Sequence, residues 1–290
     1  MTWQDALSLG RVSNLPTVWT NLLAALVLAG GAVTDLRLLP LFLGLTLFYV
    51  GGMYLNDAFD AVIDAVERPE RPIPSGRVAR GTVYVLGFAM LGAGVICLAW
   101  AGYAAEQGTG LWPALAGLAL AAAIVFYDWY HKANPLSPVV MGLCRLLVYV
   151  AAGVAFAVPL PAPVLIGGLL LLCYVIGLTY VAKQENLGEV KNLWPLVFLA
   201  APLLYGLQLS LAVPEAGAFL LALAVWMGLA LWLVKRRQPG DIPKAVVSLI
   251  AGISLLDALL IAGTGALWLG GLAVLGFFLT LGLQRFVAGT

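Results

Sequence analysis

Residues 38–55 read LLPLFLGLTLFYVGGMYL, and a polar stretch, NDAFDAVIDAVERPERPIPSG, follows directly at 56–76. An apolar helix of about 17 to 25 residues spans the hydrocarbon core of a bilayer. The run is continuous rather than alternating in polarity, which excludes a strand of a closed β-barrel. It therefore predicts a membrane-spanning helix that carries polar side chains at one end.

The composition of the whole chain leads to the same interpretation. Of its 290 residues, 62% are hydrophobic and 10% are charged, whereas soluble domains contain about 25% charged residues. An ordinary water-soluble globule is therefore excluded. The formal net charge of +1 provides no basic field, so we expect no nucleic-acid partner. The three cysteines lie inside apolar runs and are interpreted as small buried hydrophobes.

Ten apolar runs are long enough to cross a membrane, and they predict an all-α, polytopic membrane helix bundle. No repeat or linker divides the chain, so residues 1–290 are expected to form a single transmembrane domain. The first 15 residues lack the basic region of a cleavable signal. The predicted spans are Pro16–Val33, Leu38–Leu55, Thr82–Ala101, Leu111–Tyr127, Val139–Val158, Val164–Val181, Leu193–Val213, Ala216–Val234, Ala245–Gly263 and Ala266–Leu283.

The basic residues of the short loops predict the orientation of these spans. Of the 15 Lys and Arg residues, only Arg37 falls on the side opposite the N-terminus. Loops rich in Lys and Arg remain on the cytoplasmic side of a membrane. We therefore expect a multi-pass integral membrane protein whose N-terminus and C-terminus are both cytoplasmic.

The polar stretch after the second span places four oxygen-bearing side chains on one helix face if the helix continues beyond the membrane edge. These are Asn56, Asp57, Asp60 and Asp64. Such a group repels itself unless a cation lies among its members, and hard oxygen ligands suit Mg²⁺. Arg68, Arg71 and Arg77 follow at once and are suited to gripping phosphate. The alternative, an ordinary solvated helix end, does not explain this concentration of carboxylates.

A second polar cluster follows the sixth span. Glu185 and Glu189 stand one helical turn apart, with Lys183 and Lys191 beside them. Taken alone, this pattern is equally typical of a solvated loop. It gains weight because both clusters, and a third polar segment at 127–132, are predicted on the cytoplasmic side.

The first cluster together with Arg71-Pro72-Ile73-Pro74-Ser75-Gly76 resembles the first signature of the UbiA superfamily of intramembrane prenyltransferases. Other similar features are Arg11-x-x-Asn14-Leu15-Pro16, Asn21 in span one, Tyr127…Lys132 and Arg145. This chain departs from the family in two features. The second motif of the family is usually Asp-x-x-x-Asp, whereas this chain has Glu185…Glu189. The family usually has nine helices, whereas ten spans are predicted here. The resemblance thus implies a nine-helix UbiA-like core plus one extra C-terminal transmembrane helix.

The resemblance implies an enzyme, a prenyltransferase that moves an isoprenoid chain from an allylic prenyl diphosphate to a small acceptor at the cytoplasmic side. Membrane lipid surrounds it, Mg²⁺ is the expected cofactor, and the acceptor is left unassigned. The implied metal ligands are Asn56, Asp57, Asp60, Asp64, Glu185 and Glu189. The implied diphosphate contacts are Arg71, Lys132, Lys183, Lys191 and Asn21. The implied catalytic residues are Asp60, Asp64, Lys132 and Lys183.

Two other functions compete with this one. A non-catalytic lipid-binding or transporter-like protein on the same scaffold would explain the altered second motif, but it needs no cluster of four oxygen ligands. A phospholipid-headgroup phosphotransferase also uses membrane carboxylates and Mg²⁺, but its Asp-Gly-x-x-Ala-Arg pattern does not occur here. Asp257, in the middle of the ninth span, is either a functional acid or a hydrogen-bonded structural one.

Overall fold

A computed structural model describes residues 1–104, 106, 108–132, 134–183, 194–287 and 289, and within these ranges the ordered elements are all helical. Short 3₁₀ turns at Val12–Asn14 and Trp194–Leu199 precede α2 and α8. The α-helices are α1 (Trp3–Leu9), α2 (Leu15–Leu28), α3 (Leu38–Glu67), α4 (Arg80–Tyr103), α5 (Trp112–Tyr130), α6 (Ser137–Gly153), α7 (Ala162–Lys183), α8 (Ala200–Ala212), α9 (Ala216–Arg236), α10 (Asp241–Ala262) and α11 (Leu267–Leu283).

Each of the ten predicted spans corresponds to one of the helices α2 to α11. Seven segments are long and apolar enough to cross a membrane, and they contain α3, α4, α5, α7, α8, α9 and α10. The other three, containing α2, α6 and α11, are apolar but shorter. The predicted all-α membrane bundle is therefore confirmed. The second span also continues as a helix beyond its predicted end, as the shared face of the four polar residues requires, because α3 extends twelve residues past Leu55 to Glu67.

Helix α10 lies at the centre of the bundle. In the most apolar stretch of α10, 83% of the residues are buried, whereas the corresponding fractions are 28% for α4 and 22% for α9. It packs against α2, α7, α9 and α11. The outward faces of α4 and α9 carry exposed apolar side chains such as Ile96 and Leu221, which suit contact with lipid tails rather than water.

Close packing of α4 on α3 fixes the helix that carries the first polar cluster. A Cβ on Gly87 of α4 would lie 2.7 Å from Leu55 Cγ, and one on Gly51 of α3 would lie 3.0 Å from the Gly87 carbonyl oxygen. Small residues allow membrane helices to approach in this way. The contact lies one residue before Asn56 and therefore sets the position of the cluster.

Helix α11, the predicted additional span, is packed into the bundle against α2 and α10. Beyond its end, Gln284 Nε2 donates to Asn14 Oδ1 at 3.0 Å. Asn14 Nδ2 in turn donates to the Gly289 carbonyl oxygen at 2.8 Å. The segment after α11 thus returns to the start of α2.

Candidate active site

A cavity of about 420 Å³ lies among the ends of α3, α5, α6 and α7. One wall is polar and the other, from α7 and α10, is apolar, with Val175, Leu178, Val246 and Ile250. The polar wall includes Asn56, Asp60, Asp64, Arg71, Lys132 and Lys183. The cavity therefore joins a charged surface to a hydrocarbon surface.

The four oxygen-bearing residues of α3 occupy its last three turns and are all buried. Asp57 Oδ1 accepts from Arg11 Nη2 at 2.9 Å and from Arg71 Nη1 at 3.3 Å. The same Arg71 nitrogen donates to Asp64 Oδ2 at 2.8 Å. Two arginines from different loops thus neutralise part of the acidic face.

The other half of the acidic face meets the end of α5. His131 Nε2 lies 3.3 Å from Asp60 Oδ2, and Lys132 Nζ lies 3.8 Å from the same oxygen. Asn56 Nδ2 donates to Asp128 Oδ1 at 3.2 Å. The second oxygen of Asp128 is buried without a hydrogen-bond partner among the described residues. Asp128 therefore adds a buried carboxyl group beside Asn56.

The loop that carries Arg71 is anchored to the N-terminal helix α1. Arg77 Nε donates to Asp5 Oδ1 at 2.9 Å, and Arg77 Nη2 donates to the Glu70 carbonyl at 3.0 Å. Thr2 caps α1 and donates to Asp5 as well. The hydrogen bonds from Thr2, and then the one from Arg77, lower the pKa of Asp5 to about 2. Asp5 therefore remains ionised and holds the loop.

Arg11 keeps its charge although it is partly buried between α1 and α2. Burial, the largest single influence, lowers the pKa of its guanidinium, but the attraction and hydrogen bond to the Asp57 carboxylate, together with the nearby Tyr49 and Tyr127, outweigh it, so the pKa lies above its ordinary value. Arg11 is therefore a permanent cation at the edge of the acidic face.

A second polar network lies deeper in the bundle, around the fully buried Asp257 of α10. Its Oδ2 accepts from Thr20 Oγ1 at 2.6 Å and from Asn21 Nδ2 at 2.8 Å. Its Oδ1 accepts from the Tyr149 hydroxyl. Arg145 Nη1 donates to Asn21 Oδ1 at 3.0 Å, which connects this network to the cavity wall. These bonds favour a structural, hydrogen-bonded role for Asp257.

The structure brings most of the predicted site residues together. One set meets at the acidic face: Asn56, Asp57, Asp60, Asp64, Arg71 and Lys132. Lys183, at the end of α7, also borders the cavity. Asn21 does not face the cavity but supports Arg145, so its placement gives no support to a diphosphate contact. Glu185, Glu189 and Lys191 lie outside the described residues.

Three residues of the site were not predicted as site residues: Arg11, Asp128 and His131. Arg11 was visible only as part of the family resemblance. Asp128 and His131 lie in the polar segment 127–132, where a carboxylate at the end of an apolar run was the available signal. Their contacts with Asn56 and Asp60 depend on how α5 packs against α3, which a single sequence does not specify.

The donor set fits Mg²⁺ in its chemistry. Within the described ranges, no three His, Cys, Asp or Glu side chains converge closely enough to form a complete metal site. Mg²⁺, however, is commonly held by one or two carboxylates and completes its shell with water and substrate phosphate. Asp60 and Asp64 at the cavity wall, with the Asn56 amide beside them, supply ligands of that kind.

A polytopic helix bundle of this length and apolar character, with an acidic, arginine-lined pocket, defines a multi-pass integral membrane protein. The sequence model of the UbiA prenyltransferase family matches residues 17–250. The chain belongs to this family.

Several relatives are named digeranylgeranylglyceryl phosphate synthase. The protein of Methanopyrus kandleri is 33% identical over 189 residues, which cover 60% of this chain and 59% of the relative. The protein of Thermococcus kodakarensis is 30% identical over 115 residues, covering 40% and 39%. The matched segments thus span less than two thirds of these relatives.

Two solved structures share the fold. One, described as digeranylgeranylglyceryl phosphate synthase in membranes, has a TM-score of 0.64 at 18% identity and covers 91% of this chain and 98% of its own. The other, an apo UbiA homologue from Aeropyrum pernix K1, has a TM-score of 0.59 at 15% identity and covers 88% and 98%. At these identities the likeness establishes the fold.

Proposed function

We propose that this protein transfers an isoprenoid chain from an allylic prenyl diphosphate to a lipid acceptor in an Mg²⁺-dependent reaction. The observation that carries the proposal is the junction of two cavities. An apolar cavity of about 90 Å³ is lined by Leu45, Phe48 and Leu120. It shares Tyr49, Met53, Tyr127, Met141 and Arg145 with the polar cavity. A molecule with a diphosphate head and a hydrocarbon tail matches this arrangement.

Each part of the pocket has a distinct task in this reaction. Arg71, Lys132 and Lys183 would bind phosphate oxygens and stabilise the negative charge that develops on the leaving diphosphate. Asn56, Asp57, Asp60 and Asp64 would hold Mg²⁺, with Glu185 and Glu189 as the proposed second ligand pair. When bound, Mg²⁺ supplies further neutralisation of the diphosphate as a Lewis acid.

The hydrocarbon tail would lie along the apolar cavity that begins at the junction. Burial of each CH₂ group contributes about 0.8 kcal/mol to binding. The rings of Tyr49 and Tyr127 line the junction, where an aromatic face stabilises an allylic cation and excludes water from it. The charged wall would thus act on the leaving group, and the aromatic junction would protect the carbon that reacts.

The names of the relatives guide the choice of substrates. We propose geranylgeranyl as the transferred chain and a geranylgeranylglyceryl phosphate as the acceptor, since the product would then be a digeranylgeranylglyceryl phosphate. The reaction would take place at the cytoplasmic side, as the distribution of Lys and Arg predicts.

Turnover by the purified protein in lipid nanodiscs tests the proposal. With geranylgeranyl diphosphate, geranylgeranylglyceryl phosphate and Mg²⁺, the wild type should release pyrophosphate and form the coupled lipid, detected by mass spectrometry. Asp60→Ala should lower kcat by about 100-fold or more, since its effect is largest when charge develops. Glu215→Ala, which removes an exposed carboxylate at the start of α9, should leave turnover unchanged.

The same measurement separates the competing functions. A wild-type protein that releases no pyrophosphate and forms no coupled lipid with these substrates would contradict the proposed transfer and favour the non-catalytic, lipid-binding protein considered above. Equal turnover by Asp60→Ala and the wild type would contradict the assigned site.

A further inference from the structure

A single guanidinium nitrogen of Arg71 serves two buried carboxylates. Its Nη1 lies 2.8 Å from Asp64 Oδ2 and 3.3 Å from Asp57 Oδ1, and these two side chains are only 4% and 6% exposed. In the described part of the chain, every side-chain hydrogen bond and ion pair of Asp64 comes from Arg71. Arg71 thus lies between two of the carboxylates that the proposed function assigns to Mg²⁺.

A guanidinium and a dication compete for the same carboxylate oxygens. An oxygen that ligates Mg²⁺ directly has its metal about 2.0–2.1 Å away, and a guanidinium in hydrogen-bond contact with that oxygen adds electrostatic repulsion. Arg71 and Mg²⁺ therefore cannot both engage Asp57 and Asp64 at full strength. Metal binding requires that Arg71 move or weaken its contacts.

The diphosphate offers Arg71 another partner. Arg71 borders the 420 Å³ cavity, and a guanidinium binds phosphate oxygens through strong, paired hydrogen bonds. Its loop is held independently of the side chain, because Ser75 N donates to the Arg71 carbonyl and Arg77 ties the loop to Asp5. The side chain is thus able to change partners while the backbone remains in place.

We propose that Arg71 is a resident counter-cation that occupies Asp64 and shares Asp57 with Arg11, and that substrate diphosphate frees Asp64 for the metal by drawing Arg71 to its own oxygens. This proposal rests on the proposed function. Its consequence is positive coupling: diphosphate and Mg²⁺ each strengthen the binding of the other, whereas metal alone binds weakly. Coupling of this kind is reciprocal between the two ligands.

The direction in which Arg71→Gln changes the affinity for metal alone distinguishes this role from simple phosphate binding. If Arg71 only contacts phosphate, Arg71→Gln leaves metal affinity unchanged when no phosphate is present. If Arg71 competes with the metal, Arg71→Gln tightens the binding of metal alone by about tenfold or more, since an opposing charge has left a buried site. The same variant should bind pyrophosphate more weakly.

The measurement uses Mn²⁺ as a spectroscopic probe on the full-length protein in nanodiscs. Free Mn²⁺ is followed by electron paramagnetic resonance without phosphate. Binding of radiolabelled pyrophosphate is then measured at zero and at saturating Mg²⁺. In the wild type we expect pyrophosphate to bind about tenfold or more tightly with Mg²⁺, and in Arg71→Gln we expect this ratio to decrease.

Two variants serve as controls. Arg71→Lys keeps the charge and should retain a weak affinity for metal alone. Arg68→Gln removes a charge from the same cavity without breaking a side-chain contact to Asp57 or Asp64, so its effect on metal alone should be clearly smaller than that of Arg71→Gln.

Each outcome decides between the two proposals. Metal binding that is unchanged or weaker in Arg71→Gln, or equal in Arg71→Gln and Arg68→Gln, would overturn the counter-cation role and leave the metal site intact. Failure of the wild type to bind Mn²⁺ or Mg²⁺ with or without pyrophosphate would overturn the metal assignment, and the counter-cation role with it.

Discussion

Asn21 donates from its Nδ2 to Asp257 Oδ2 at 2.8 Å, and its Oδ1 accepts from Arg145. The amide therefore has one orientation, with its donor toward the carboxylate and its acceptor toward the guanidinium. This bridge links the centre of α10 to the cavity wall through α2 and α6. Arg145 is held at the junction of the two cavities by the neutral groups Asn21 and Thr17, and no carboxylate of the described residues is in direct contact with it.

We expect Asp257→Ala to destabilise the protein strongly. It would leave Asn21 and Tyr149 without their buried acceptor, whereas Thr20 keeps the Thr17 carbonyl, at a total cost of about 3 kcal/mol or more. Asp257→Asn retains one acceptor oxygen and should cost less. Thermal unfolding in nanodiscs measures both, and a midpoint for Asp257→Ala equal to that of the wild type would contradict the structural role.

Overpacking at the α3–α4 contact should disturb the acidic face. Gly87→Ala places a methyl group 2.7 Å from Leu55 Cγ, next to Asn56, and should cost about 1–3 kcal/mol. Gly92→Ala on the same helix meets nothing within 4 Å and is the matched control. The two variants are compared by unfolding midpoint and by pyrophosphate affinity. Equal values for both would show that the contact does not control the site.

Glu185 and Glu189 should behave as a second ligand pair. Removing one should weaken Mg²⁺-dependent pyrophosphate binding, and combining that change with Asp64→Ala should give non-additive losses. Aspartates at both positions should be tolerated, whereas glutamines should not, because a neutral amide is a poorer ligand for a hard dication. Pyrophosphate affinity at fixed free Mg²⁺ is the measurement. Identical values in the wild type and both double variants would identify the loop as solvated.

Cysteine labelling tests the predicted orientation. Gly81→Cys, at an exposed position near the start of α4, should react with an impermeant reagent only after the cytoplasmic face is opened. Glu106→Cys should react in intact cells. The native cysteines Cys97, Cys144 and Cys173 are partly buried and are replaced by alanine to remove background. The opposite labelling pattern would reverse the topology.

The anchor between α1 and the Arg71 loop should weaken in acid. The pKa of Asp5 is about 2 in the folded protein against an ordinary value of 3.8. Its contribution to stability is therefore complete above pH of about 4 and is lost as the pH falls towards 2. The difference in unfolding midpoint between the wild type and Asp5→Asn should shrink over this interval. A difference that stays constant from neutral pH to pH of about 2 would exclude the charge of Asp5 as its cause.

The sequence alone was sufficient to predict the helical membrane architecture and the shared face of the four polar residues of α3. Apolar length specifies membrane helices, and helical periodicity alone places Asn56, Asp57, Asp60 and Asp64 on one face. It was not sufficient to predict which residues contact these four. Arg11, Asp128 and His131 reach the acidic face only through the packing of distant helices. For Asp257, the sequence left two roles open, and only the contacts with Thr20, Asn21 and Tyr149 favour the structural one.

The distance along the chain between Asn21 and Asp257, 236 residues, has a consequence for biosynthesis. The ribosome delivers α2 to the membrane long before α10, so Thr20 and Asn21 enter the bilayer ahead of the carboxylate that they bind. Exposed polar groups of this kind are costly in hydrocarbon. The hydrogen bonds to Asp257, and with them the bridge from α10 to Arg145, can form only after the ninth span has entered the membrane.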